Sequence, residues 1–114
     1  MGTPLPADEL EGIRRDYLED MKRTAANVRS HAIALGDGKR FKTSFPVLLY
    51  SAHQIKGSGG MLGYPELSEI GSKMAVVLGS FLEETEPRPT ARSLSTSIQE
   101  LSNELDEALA RASA

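Results

Sequence analysis

Cysteine and tryptophan are absent from this chain of 114 residues, and its aromatic side chains amount to three Tyr and three Phe. Without thiols there are no disulfides and no thiolate-bound metal. With so few rings, the core has to come from Leu, Ile, Val, Met and Ala, a mix that favours helices. No hydrophobic run approaches the roughly 20 apolar residues that span a bilayer, and no secretory apolar segment stands near the start, so cytoplasmic residence without a membrane partner is expected. Positive charge is scarce as well. Thirteen Lys and Arg against sixteen Asp and Glu give a net charge of -3, which argues against a nucleic-acid partner, because phosphate contacts need clustered cations. Histidine occurs only as His31 and His53, far apart and with no carboxylate at ligand spacing, so no metal site is expected.

What is present is an ordinary globular composition, 39% hydrophobic and 25% charged, in a length that suits one domain over 1–114. Pro4, Pro6 and the acidic Ala7-Asp8-Glu9 open a first helix over roughly 7–35, with Leu10, Ile13, Tyr17, Met21, Val28 and Leu35 at helical spacing and a break admissible near Gly12. Gly36-Asp37-Gly38 stops it. A second helix is expected over 44–62, with Ser44 as N-cap, Pro46 in the first turn and a core stripe of Leu48, Ala52, Ile55, Gly59 and Leu62. Gly63 ends it and Pro65 opens a third over 64–84, striped by Leu67, Ile70, Gly71, Met74, Val77, Leu78 and Phe81. Beyond Glu86-Pro87-Arg88-Pro89, Leu94, Ile98, Leu101, Leu105 and Leu109 mark a fourth over 91–112. Four apolar stripes without strand signals must bury one another. The economical answer is an all-α antiparallel four-helix bundle, and four stripes suffice to close one core as a monomer.

The most informative stretch is His53-Gln54-Ile55-Lys56-Gly57-Ser58-Gly59-Gly60-Met61-Leu62-Gly63. Positions i, i+3, i+4 and i+7 share a helix face, so Lys56, Gly57 and Gly60 gather beside His53, with Pro46, Leu49 and, at the edge, Tyr50. Glycine inside a helix costs about 1 kcal/mol relative to Ala. Gly59 falls on the inward stripe, where a missing side chain lets helices approach. Gly57 and Gly60 point outward on the wheel, where packing within the domain does not require them. The competing reading is a glycine-rich loop; against it, the apolar period of Leu48, Ala52, Ile55 and Leu62 runs straight through. The Gly-Ser-Gly-Gly run is not a phosphate-binding loop, since Lys56 precedes the glycines and no strand leads in.

The segment resembles the signature of histidine phosphotransfer (HPt) domains, a His-x-x-Lys-Gly-Ser series with a glycine ten residues after the histidine and a leucine four further on. Here those positions are His53, Lys56, Gly57, Ser58, Gly63 and Leu67, and Gly71 and Met74 follow in the same register. Tyr64 and Ala75 depart from the family pattern, which commonly has a small residue and a glutamate there. The resemblance implies that His53 accepts a phosphoryl group on an exposed ring nitrogen and exchanges it with an aspartate of a response-regulator receiver domain. It also implies that the transition-state chemistry comes from the partner, either a histidine kinase with ATP or a receiver with Mg²⁺. The chain would then be a phosphoryl carrier without its own cofactor or catalytic machinery.

The residues agree with that reading one by one. Imidazole is substantially neutral near pH 7 and therefore nucleophilic. Lys56 can offset the phosphoryl charge, Gly57 and Gly60 clear an approach for the partner, and Pro46, Leu49 and Tyr50 offer an apolar docking patch. Ser58 is expected to bond back to a carbonyl one turn earlier. Gly59, Gly63 and Leu67 are framework positions, and His31 is expected to be a surface or partly packed residue. Two alternatives stay open: the phosphoryl-accepting domain of a chemotaxis-type or hybrid histidine kinase, and a helical adaptor that is never phosphorylated.

Overall fold

The computed structural model describes residues 6–83, 86 and 88–114. Four helices account for most of them, α1 (Ala7–Ala34), α2 (Phe41–Met61), α3 (Pro65–Leu82) and α4 (Ala91–Ala112), with no strand among the described residues. They form an antiparallel bundle in which each helix packs against its chain neighbours and α4 returns to α1. The contact of α2 with α3 is the most extensive, and that of α1 with α2 the least among the neighbouring pairs.

The core is aliphatic, as the scarcity of rings requires. Leu94, Ile98, Leu101, Leu105 and Leu109 of α4 are all buried, against Met21, Val28 and Leu35 from α1, Leu48 and Ile55 from α2, and Leu67, Ile70, Met74 and Leu78 from α3. Each such side chain contributes about 1.5–3 kcal/mol over leaving it in water. Thr90 starts α4 with a reciprocal cap: its hydroxyl accepts from Ser93 N at 3.0 Å, and Thr90 N donates to Ser93 Oγ at 2.9 Å. Ser102 is fully buried in α4, and its Oγ finds no hydrogen-bond partner among the described residues. A buried hydroxyl without a partner carries its desolvation cost uncompensated. Ser102→Ala should therefore raise stability by about 1 kcal/mol, read as a higher urea midpoint at unchanged slope.

Several boundaries differ from the sequence expectation. The second helix begins at Phe41, and Ser44 lies inside it, buried, where it is no N-cap. Two interactions extend the helix backwards. Asp37 accepts from Lys39 N and Arg40 Nε, each at 3.0 Å, and folds the connection into a turn. Phe41 then stacks on Phe45 at 5.5 Å between centroids, and both meet Phe81 of α3. All three phenylalanines thus lie in one cluster. Pro46 consequently sits at the sixth helical position and not in the first turn, and it is exposed, so water can serve the carbonyl its missing N–H leaves free.

The third helix ends at Leu82, its last turn met by Arg88, whose guanidinium donates to Phe81 O at 3.1 and 3.3 Å. The expected end at 84 lies outside the described residues, as do Pro4 and Pro87. The first helix runs unbroken through Gly12. In its opening turns Leu10 and Ile13, 39% and 42% exposed, lie outside the core; burial starts at Leu18.

Candidate functional site

α2 carries the segment singled out above from His53 through Met61, and Leu62 and Gly63 form its C-terminal cap. A glycine-rich loop is not what forms there. The reason lies in what the helix packs against. Leu48, Ala52, Ile55 and Gly59 are buried against the bundle. At Gly59 an added Cβ would stand 2.9 Å from Ser68 N and 3.2 Å from Tyr64 O, so α2 and the start of α3 meet only because no side chain intervenes. At Gly71 the approach is closer still: a Cβ would lie 2.5 Å from Lys56 N and 2.8 Å from Ala52 O. α3 therefore rests directly on the backbone of the turn that bears His53.

On the opposite side of that turn, His53 and Lys56 are exposed. Neither side chain takes part in an ion pair or hydrogen bond among the described residues. Gly57 faces open space, with nothing within 4 Å of where a Cβ would be. A depression of about 270 Å³ beside the imidazole is lined by Tyr50, His53, Gln54, Gly57 and Ser58. Tyr50, 66% exposed, accepts a hydrogen bond from Gln54 Nε2 at 2.9 Å. Pro46 is exposed as well, whereas Leu49 is half-buried against the core and offers only an edge to a partner.

Gly60 is placed differently from what the helical wheel suggests. Its backbone is exposed, but a Cβ there would come within 3.4 Å of Ser68 Oγ, so the space beside it belongs to the α2–α3 contact. Ser58 Oγ donates to Gln54 O at 2.6 Å, one turn back, and meets Tyr17 OH of α1 at 2.9 Å. Burial pushes the Tyr17 hydroxyl above its ordinary pKa of 10.0, with the Ser58 hydrogen bond acting the other way. His31 is half-buried, its Nδ1 3.0 Å from Ser44 Oγ in the first turns of α2.

The end of α2 is fixed by Gly63, whose φ of +84° is the left-handed value that glycine adopts at least cost. Tyr64 N donates to Gly59 O at 2.7 Å and Gly63 N to Gly60 O at 3.4 Å, the paired bonds of a Schellman cap. Leu67, 1% exposed, anchors the first turn of α3 in the core. Arg14 of α1 completes the corner: its Nε donates to Leu62 O at 2.9 Å and its guanidinium lies 4.9 Å from the Tyr64 ring centroid, while Tyr17 stacks on the same ring. Tyr64, the position where family members commonly have a small residue, is here the platform for two α1 side chains. The sequence gives no sign of the contacts from Arg14, Tyr17 and Ser68, because each joins residues far apart in the chain.

No group of three or more His, Cys, Asp or Glu among the described residues could hold a metal ion. No helix among them is long and apolar enough to cross a membrane. Comparison with known families identifies the architecture. The Hpt domain family model matches residues 12–114, nearly the whole chain, and the chain belongs to that family. It is thus a phosphotransfer domain of two-component signalling, a class that works with histidine kinases and response regulators. Neither a search of curated proteins nor one of solved structures found a significant match.

Proposed function

We propose that His53 is the phosphoryl acceptor and that the chain relays the group to or from an aspartate of a receiver domain. The observation that carries this is the exposure of His53 in mid-helix together with the empty space at Gly57, one turn further along the same face. In the forward step a neutral ring nitrogen attacks the phosphorus of the receiver's acyl phosphate. The N–P bond forms as the P–O bond to the aspartate breaks, and the electron pair leaves with the carboxylate. The reverse step returns the group. Phosphoryl transfer of this kind is mostly positioning and charge stabilisation. This chain supplies the nucleophile, the cation of Lys56 to meet the phosphoryl oxygens, and a face without side chains over which a partner can close. Mg²⁺ on the receiver, or ATP on the kinase, is the partner's contribution, so the chain is a carrier that completes no transfer alone.

The test is incubation with phosphorylated receiver domains. Acid-labile, alkali-stable label should appear on the wild-type chain and be absent from His53→Gln. Label of undiminished amount on that variant would remove His53 from the role. Failure of the wild type to take label from every member of a receiver panel would favour an adaptor without phosphorylation.

A further inference from the structure

We propose that Ser68 is a positioning residue for the transfer: its hydroxyl holds the backbone of Lys56 and thereby sets where the lysine stands relative to His53. The inference rests on the roles given above to those two residues. The stretch 54–60 has to stay helical with three glycines in it, and glycine is the weakest ordinary helix former. Two hydroxyls reinforce it. Ser58 Oγ donates to Gln54 O at 2.6 Å from within the same helix. Ser68 Oγ donates to Lys56 O at 2.7 Å from the first turns of α3.

The second bond differs in kind, because it ties the Lys56 peptide to a neighbouring helix. Gly60 leaves its path open, since even a Cβ at that position would touch Ser68 Oγ at 3.4 Å and anything longer would crowd it. Gly71 brings the α3 backbone against Lys56 N on the other side of the same residue. The Lys56 main chain is therefore gripped at both its N–H and its carbonyl end. The side chain has no hydrogen bond or ion pair among the described residues. Its reach toward a phosphoryl group on His53 is set by where that backbone is held, and small misplacements of a charge-stabilising group are costly in rate.

The experiment uses the full chain and a receiver domain that phosphorylates the wild type, followed in single-turnover mode. Ser68→Ala should slow transfer at saturating receiver about three- to tenfold, the scale of one hydrogen bond. The receiver concentration at half-maximal rate should not change, thermal melts should remain cooperative, and Ser68→Thr, which keeps the hydroxyl, should recover most of the rate. The readout that a merely structural serine would not satisfy is the double variant: in a Lys56→Ala background, Ser68→Ala should have no further effect. A wild-type rate for Ser68→Ala would overturn the proposal, as would a full additional slowdown in the Lys56→Ala background or an effect confined to receiver affinity. A wild-type chain that takes no label overturns the reading of the site and this proposal with it, whereas labelled wild type with an indifferent Ser68→Ala overturns only the latter.

Discussion

Gly57→Gln is expected to fold at least as well as the wild type and to relay phosphate about a hundredfold more slowly. The two halves have separate causes. Nothing lies within 4 Å of a Cβ at Gly57, so the bundle gains a better helix former at no steric cost, worth up to about 1 kcal/mol in helix propensity. The partner, however, has to bring its reacting group to His53 across that same face. A side chain of five heavy atoms one turn away props the two domains apart, and displacement of reacting groups by about 1 Å is enough to cost a factor of about 10². Denaturant titration and single-turnover transfer with a phosphorylated receiver check the two halves independently. A variant that transfers at the wild-type rate would show that the bare face has no bearing on partner approach.

Gly71→Ala should do the reverse, damaging the fold before anything else. A methyl at Gly71 would lie 2.5 Å from Lys56 N, 2.8 Å from Ala52 O and 3.0 Å from Lys56 Cα, all of them backbone atoms that no rotamer change can move aside. α3 would have to back away from α2 along the most extensive helix contact in the molecule. Overpacking typically costs about 1–3 kcal/mol and occasionally more; with three backbone atoms of α2 at or inside 3.0 Å, a loss of about 3 kcal/mol or more is expected. A domain this small has only about 5–15 kcal/mol to lose. Chemical denaturation should show the midpoint falling steeply. A midpoint within experimental error of the wild type would mean that the two helices are not held as close as described.

The contrast between these glycines marks how far the sequence could be read. Spacing alone separated Gly59, on the inward stripe, from Gly57, on the outward face, because the period of Leu48, Ala52 and Ile55 defines the two sides of α2 unaided. The α4 stripe was equally plain, five buried aliphatic residues at steps of three and four. What periodicity could not supply was the identity of a neighbour. Gly60 falls on the outward half of the wheel, yet Ser68 comes to it from another helix. Leu10 and Ile13 keep the helical period but stay 39% and 42% exposed, outside the core that the other helices close. Ser44 has the chemistry of an N-cap, and it lost that place to a phenylalanine cluster whose third member, Phe81, lies in α3. In each case a long-range contact overrode a local preference. The face around His53 was legible because it is a surface, shaped by its own helix and by the side chains left out of it.

The position of the phosphoryl group in the labelled chain bears most directly on all of this. After phosphorylation by a receiver, digestion and tandem mass spectrometry under mildly alkaline conditions, which preserve phosphoramidates, would locate it. The group should be found on the imidazole of His53 alone. Finding it on His31, whose Nδ1 already faces Ser44 Oγ at 3.0 Å, or on a hydroxyl or carboxylate anywhere in the chain, would contradict the account.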